Sequence, residues 1–258
     1  MGIMRFFPFL FFIFIFFPGS SQTRFIHVFV ALCDNESQGI VPVPKKIGNG
    51  NDPDNNLYWG CAFGMRTYFK NAAEWQHIST IKGVNSTILE RSIFKHKTKD
   101  AIIIADAYKG TEMRQCLNDF FLASSGNDKA SIRIILSKDS SKECVAASSD
   151  LVVFIGHDGL MDTQFETYPQ HKGTKRDAMI FCCYSKEFFT PAMKSGGANP
   201  LLWTTGLCSP EAYSLKAALD GWLLNETGLQ IEERAAQAYH QYQKCGIKGA
   251  RGLFTTGW

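Results

Sequence analysis

Two residues with nucleophilic and acid–base chemistry, His157 and Cys183, follow strongly apolar segments of the sequence. His157 comes after LVVFIG and Cys183 after AMIFC, so each stands just beyond a run typical of a buried strand. A cysteine thiolate is a good nucleophile, but a free thiol with a pKa of about 8.5 is only a few per cent ionised at neutral pH. A nearby imidazole can take the thiol proton and later protonate a departing amine. The pair therefore predicts cleavage of an amide or a related acyl bond.

The elements that would position these residues are strands with continuous rather than alternating apolar character. Such runs are typical of strands that are covered on both faces. Helix signals occupy several of the intervening segments. The sequence therefore predicts a single α/β domain over residues 22–258, with a mainly parallel sheet covered by helices on both faces. The main predicted strands are residues 25–33, 101–107, 151–155, 178–182 and 201–205, and the predicted helices are residues 57–70, 111–123, 210–224 and 230–244. Residues 87–94 are a further, short strand candidate, and residues 131–136 alternate weakly.

In a parallel α/β sheet, ligands collect at the carboxyl ends of the strands. His157 and Cys183 leave that edge 26 positions apart in the sequence. Because neighbouring strands lie about 4.8 Å apart, we expect both side chains to reach one substrate carbonyl. The backbone N–H groups of Asp158, Gly159 and Cys183 are the candidate donors for an oxyanion.

The stretches LVVFIGHDG (151–159) and AMIFCCYS (178–185) carry a resemblance to a known family. A strand, His and Gly, followed by a strand, a small residue and Cys-x-Ser, resembles the caspase-like cysteine peptidases of clan CD, which include caspases, legumains, gingipains, clostripain and separase. The layout is similar over about residues 25–225, and the detail is similar in these two motifs. The resemblance implies a caspase-like fold, Cys183 as nucleophile, His157 as the proton-transfer residue, and a peptide or protein substrate. The sequence has no H-E-x-x-H, EF-hand or dinucleotide-binding spacing, so we expect no cofactor or metal ion.

Two features depart from the family pattern. Asp158 follows His157 where the family usually has glycine, and the segment between His157 and Cys183 is short. A catalytically inactive α/β protein that binds a peptide or glycan therefore stays open as the alternative. The stretches NNLYWGCAFG (55–64) and IGHDGLMD (155–162) also resemble a group of exported bacterial proteins, and that resemblance brings no activity with it.

Three further residues are candidates for binding the substrate. In the caspase-like fold, the ends of the first and fifth strands line the pocket for the residue before the cleaved bond. Asp34 and Asp106 could pair there with a Lys or Arg of a substrate, and Thr205 ends the fifth predicted strand. The alternative, which we favour for Asp34 and Asp106, is that both carboxylates cap turns.

The N-terminal segment is typical of a secretory signal peptide. Residues 6–17, FFPFLFFIFIFF, are uncharged, follow Arg5, and precede the small residues of Pro18-Gly-Ser-Ser21. The apolar run is shorter than the ~20 residues that span a bilayer. We therefore expect residues 1–21 to be removed and the remaining protein to be exported, periplasmic or secreted, without stable membrane insertion. A retained N-terminal anchor is the alternative.

Composition excludes two other classes of protein. With 45% hydrophobic and 20% charged residues, the 258-residue chain is not typical of a disordered protein. A net charge of +3 is too small for a strongly basic nucleic-acid binder. The even count of eight cysteines permits disulfides in an exported protein, but none of them forms a C-x-x-C motif.

Overall fold

The computed structural model describes residues 22–137, 140–145 and 149–258, and it is built around one large sheet. Eight strands form this sheet, while β5 and β6 form a separate antiparallel hairpin. In chain order the strands are β1 (Arg24–Ala31), β2 (Trp75–Lys82), β3 (Ile88–His96), β4 (Ala101–Tyr108), β5 (Ser131–Ser137), β6 (Ser140–Val145), β7 (Leu151–Ile155), β8 (Asp177–Phe181), β9 (Asn199–Thr204) and β10 (Phe254–Thr255).

The sheet order is β10-β9-β8-β7-β1-β4-β3-β2. The five central strands from β9 to β4 are parallel to one another. The antiparallel strands stand at the two edges, with β10 on β9 and the β2–β3 hairpin on β4. The predicted mainly parallel sheet is therefore confirmed, and its five parallel strands direct their carboxyl ends to one edge.

Helices cover both faces of the sheet. They are α1 (Met65–Asn71), α2 (Met113–Ser125), α3 (Ser185–Gly196), α4 (Ala212–Leu223), α5 (Gly228–Gln243) and α6 (Ile247–Leu253). Ile26 and Val28 of β1 belong to the core formed with α1, α4, α5 and α6. Phe29, which points to the opposite face, packs against α2 and belongs to the core that also includes α3. Because alternate residues of each central strand enter two different cores, the strands are apolar throughout.

The predicted helix at residues 57–70 is wrong in its first half, because α1 begins only at Met65. The fully buried Asn56 fixes the preceding segment as a series of turns. Its side-chain carbonyl accepts from the N–H groups of Cys33 and Tyr58, each at 3.1 Å. Its amide donates to the carbonyls of Cys33 at 2.8 Å and Asn49 at 3.0 Å. This one side chain therefore fastens the loop after β1 to the end of that strand.

Other elements were not predicted from the sequence, namely β2, β6, β10, α3 and α6. Across residues 22–137, 140–145 and 149–258, no helix is both long enough and apolar enough to cross a bilayer. The predicted signal peptide, residues 1–21, lies outside the described residues.

Candidate active site

His157 and Cys183 both line one pocket of about 580 Å³. Strands β7 and β8 pair with Ile155 opposite Phe181, and His157 and Cys183 each stand two residues beyond this last pair. The 26-residue separation of the two residues is thus the register offset of neighbouring strands. The structure brings the two predicted catalytic residues to the wall of the same open pocket.

Cys183 stands in a tight turn between β8 and α3. The next residue, Tyr184, has φ 48° and ψ 31°, a left-handed conformation that costs a residue with a Cβ about 1–2 kcal/mol. Its N–H donates to the carbonyl of Gly206 at 2.9 Å. This conformation reverses the chain from strand to helix within three residues and leaves the partly exposed Cys183 at the pocket wall.

A buried polar network holds this turn against the end of β9. Thr204 Oγ donates to the carbonyl of Cys182 and accepts from the N–H of Ser185 at 3.1 Å. Ser185 Oγ donates to the carbonyl of Ile180 at 3.0 Å and accepts from the N–H of Thr204 at 2.8 Å. Both hydroxyl residues are fully buried. Because satisfied buried networks are rigid, the network fixes where the Cys183 side chain begins.

The backbone of Cys208 contacts the sulfur of Cys183 directly. The Cys208 N–H donates to Sγ at 3.4 Å, and Sγ lies 3.7 Å from the Cys208 carbonyl, to which the thiol donates. Cys208 follows β9, so this contact ties the turn after β8 to the loop after β9. The nucleophile candidate therefore has a defined position at the pocket wall.

Neighbouring cysteines differ from Cys183 in burial. Cys33, Cys182 and Cys208 are buried, and Cys183 is partly exposed. Burial raises the pKa of Cys33 to about 11 and raises the pKa values of Cys182 and Cys208, so these three stay protonated thiols at neutral pH. The seven cysteines whose side chains are described are all free thiols. Burial therefore distinguishes Cys183 from the adjacent Cys182 as the residue that a substrate can reach.

His157 is oriented by a carboxylate. Its Nε2 donates to Asp162 Oδ2 at 2.7 Å, and the same oxygen accepts from the Gly39 N–H at 3.0 Å. Burial opposes ionisation of Asp162, but the hydrogen bonds from Gly39 and His157 outweigh it, and the pKa of Asp162 is lowered. An imidazole that donates from Nε2 carries its lone pair on Nδ1, which is then the proton-accepting nitrogen.

The residues directly after His157 do not line the pocket. The Gly159 N–H donates to the His157 carbonyl at 2.9 Å, and a Cβ on Gly159 would meet the Met113 side chain at 2.3 Å, so this residue faces the core. Asp158 is fully buried, and its Oδ1 accepts from the Leu160 N–H at 3.0 Å. Of the three backbone N–H groups predicted to bind an oxyanion, the N–H of Cys183 is the one that belongs to a residue of the pocket wall.

Burial raises the pKa of Asp158 to about 7, and its Oδ2 is buried without a hydrogen-bond partner among the described residues. This folded-state pKa lies above the unfolded value of about 3.9. The contribution of the Asp158 carboxyl to the free energy of unfolding is therefore fully present below pH 4 and is lost as the pH rises through 7. We expect wild type to lose roughly 2–3 kcal/mol more unfolding free energy than Asp158→Asn between pH 5 and pH 8. Denaturant titrations at the two pH values measure this difference.

The control for that measurement is Glu166→Gln, an exposed carboxyl in the same loop. The free energy of unfolding of the Glu166→Gln variant should change between the two pH values as it does in wild type. Equal pH dependence in wild type and Asp158→Asn would contradict the burial argument.

The three predicted substrate-binding residues do not line the pocket. Asp34 Oδ1 accepts from the backbone N–H groups of Glu36 at 2.9 Å and Ser37 at 3.2 Å, which is the turn-capping alternative. Thr205 Oγ donates to the carbonyl of Gly252 at 2.7 Å at the end of α6. Both side chains are engaged with the protein backbone, and the structure does not bring either of them to the pocket wall with Cys183.

Asp106 is likewise a structural residue. It is 1% exposed and accepts from Arg91 Nε at 2.6 Å and Nη2 at 2.7 Å, and from His27 Nε2 at 2.9 Å. Burial opposes ionisation, but these donors outweigh it and lower the pKa of Asp106. Its carboxylate is already paired with a cation inside the protein, so the predicted contact with a basic substrate residue is corrected.

The pocket walls come from two loops that sequence reasoning did not single out. They lie within residues 39–43 after β1 and at residues 207–211 after β9, and Leu57, Tyr58, Gly156, Met161 and Tyr239 also line the pocket. Residues 35–56 are rich in Gly, Pro, Asn and Asp, which is a signal for a long loop, and structureless loops of that length are commonly functional. The role of Asp162 had no such signal, since it depends on how the chain folds back after His157.

Among the described residues, no group of three or more His, Cys, Asp and Glu side chains is arranged to hold a metal ion. The arrangement supports chemistry by a thiol, an imidazole and a carboxylate. Comparison of the chain with protein-family models, with curated proteins and with solved structures found no match.

Proposed function

We propose that this protein is a caspase-like cysteine hydrolase that cleaves peptide or other amide bonds, with Cys183 as nucleophile and His157 as acid–base residue. The observation that carries the proposal is that both residues line one pocket, at register-matched positions beyond β7 and β8. A parallel α/β sheet with helices on both faces supports the fold part of the proposal. The export part depends on residues 1–21, which lie outside the described residues.

The chemistry follows from the two side chains. His157 takes the thiol proton, and the sulfur of Cys183 attacks the substrate carbonyl carbon. The imidazolium then gives the proton to the leaving nitrogen, the carbon–nitrogen bond breaks, and a thioester forms. Water attacks the thioester with His157 as base, which releases the carboxylic acid and restores the thiol. The N–H of Cys183 is the candidate donor to the oxyanion in both steps.

Asp162 supports this chemistry as a positioning residue. Its carboxylate fixes the His157 tautomer and stabilises the imidazolium that forms when the thiol is deprotonated. The Asp162 side chain is 40% exposed, so water screens the pair and the contribution of its charge is about 1 kcal/mol or less.

Asp162→Asn is therefore expected to lower kcat by about two- to fivefold and to leave KM unchanged. Steady-state kinetics over a pH series measure both parameters. Glu166→Gln, which removes an exposed charge elsewhere in the loop, should change neither parameter. A rise in KM at constant kcat would show that Asp162 acts on substrate binding instead.

The proposal is tested by incubating a peptide library with wild type and with Cys183→Ala and identifying new termini by mass spectrometry. Cleavage by wild type that is absent with Cys183→Ala supports the hydrolase. Cys182→Ala is the matched control, because it changes the adjacent but fully buried thiol and should retain cleavage. Binding of library peptides without cleavage by wild type would favour the inactive binding protein.

A further inference from the structure

The pocket next to Cys183 is lined mainly by apolar side chains. The lining set from the loops after β1 and β9 and from the segments beyond them is Ile40, Val41, Val43, Leu57, Met161 and Leu207. A volume of about 580 Å³ is within the range of pockets that hold small organic ligands. The pocket therefore has room for a large apolar group.

Three of these side chains lie exposed at its wall and come from separate parts of the chain. Val41 is 88% exposed, Leu207 is 71% exposed and Met161 is 49% exposed. Single exposed apolar residues are ordinary on protein surfaces, but a contiguous group around a concavity marks a binding site. Because each side chain would lose contact with water on occupation, an apolar ligand gains free energy at all three.

Charged groups that could bind a charged substrate residue are scarce in the same lining. Among the described residues of the pocket wall, none is Lys, Arg or Asp, and Glu211 is the single acidic residue. Glu211 already accepts from the Tyr213 hydroxyl at 3.0 Å and the Gln243 amide at 3.1 Å. Burial raises its pKa. A Lys or Arg side chain in this pocket would lose hydration for a single carboxylate, whose Oε2 already accepts two hydrogen bonds from neighbouring side chains, and an acidic side chain would find no Lys or Arg.

We infer that the pocket selects a bulky apolar side chain, aromatic or branched aliphatic, on the residue whose carbonyl Cys183 attacks. This inference rests on the proposed function and adds its substrate class. Cys183 lines the pocket itself, so the group attached to the attacked carbonyl is the one adjacent to this apolar space. The occupant is a peptide side chain, and a fatty-acyl chain is the competing occupant that the experiment separates.

The test measures second-order labelling rates of Cys183 with peptidyl acyloxymethyl ketones that differ only at the residue next to the ketone. Phe or Leu probes should react about 10- to 100-fold faster than Gly, Lys or Asp probes. Iodoacetamide, which does not need the pocket, reports the reactivity of the thiol alone. A hexadecanoyl probe that reacts faster than the Phe probe would overturn the peptide assignment.

A charge at the pocket wall provides the second readout. After normalisation to the iodoacetamide rate, Leu207→Glu should lower the Phe-to-Lys rate ratio by at least about tenfold. Leu229→Glu is the matched control, because Leu229 is also 71% exposed but lies at the start of α5 and does not line the pocket. That control should keep the wild-type ratio.

The failures of the two proposals can be distinguished. Iodoacetamide labelling of Cys183 combined with a preference for Lys or Asp probes, or with no preference, would overturn the apolar pocket and leave the hydrolase standing. A Cys183 that reacts with neither reagent in the folded protein would remove the hydrolase and the substrate class with it.

Discussion

Alanine at position 157 is expected to lower kcat for amide hydrolysis by about 10²- to 10⁴-fold, because general acid–base catalysis is lost at both proton transfers. The substrate for this measurement is an aminocoumarin amide of a peptide selected from the library digest. His157 lines the pocket with Cys183, and each of the two residues stands two positions beyond the last pair of β7 and β8. This decrease in kcat is larger than the decrease expected when an orienting residue such as Asp162 is replaced.

The matched control is His171→Ala. His171 is exposed, lies outside the pocket, and its Nδ1 donates to the Gly196 carbonyl at 3.1 Å. This variant should keep wild-type kcat. If His157→Ala also kept kcat within about twofold of wild type, His157 would have no acid–base role.

The largest expected effect on stability comes from Asp106→Ala. The substitution leaves Arg91, whose side chain is 15% exposed, without the carboxylate that its Nε and Nη2 contact. Breaking a buried ion pair by removing one partner costs about 3–5 kcal/mol, because an uncompensated charge stays behind. For a chain of this size the melting temperature should fall by about 10 °C. Chemical and thermal denaturation measure the two quantities.

The control for this prediction removes both the Asp106 carboxylate and the Arg91 guanidinium. Asp106→Leu combined with Arg91→Met replaces the pair with apolar side chains of similar size, and part of the lost stability should return, because His27 Nε2 still lacks the acceptor that Asp106 supplied. Because Asp106 lies outside the pocket, iodoacetamide should modify Cys183 of the Asp106→Ala variant at the wild-type rate below the melting temperature of the variant. A loss below about 1 kcal/mol for Asp106→Ala would contradict the buried-pair interpretation.

The central sheet could be predicted because burial on both faces leaves a signal in each strand separately. Leu151–Ile155 is apolar at all five positions and is buried at all five. The hairpin strand β2 gives no such signal, because most of Trp75–Lys82 stays partly or fully exposed at the sheet edge. The start of α1 was also beyond sequence reasoning, since Asn56 takes its partners from Cys33 and Asn49 rather than from a helix.

The candidate site likewise has residues that the sequence could predict and contacts that it could not. His157 and Cys183 were accessible from sequence, because the end of a predicted strand fixes where the next residues emerge. Asp106 is a structural residue because it pairs with Arg91, which the antiparallel pairing of β3 with β4 brings opposite it. The contact of Asp162 with His157 and Gly39 likewise joins the loops after two different strands. Side-chain partners chosen by tertiary structure carry no local signal.

The most direct test of the account is native alkylation of the folded protein with iodoacetamide at neutral pH, followed by mass-spectrometric mapping of each cysteine. Cys245 is the internal reference, because it is exposed and lies outside the pocket, whereas Cys183 is partly exposed beside His157. Cys183 should react faster than Cys245, and His157→Ala should remove this advantage. Faster modification of Cys245, with Cys183 reacting only after the protein is unfolded, would contradict the account.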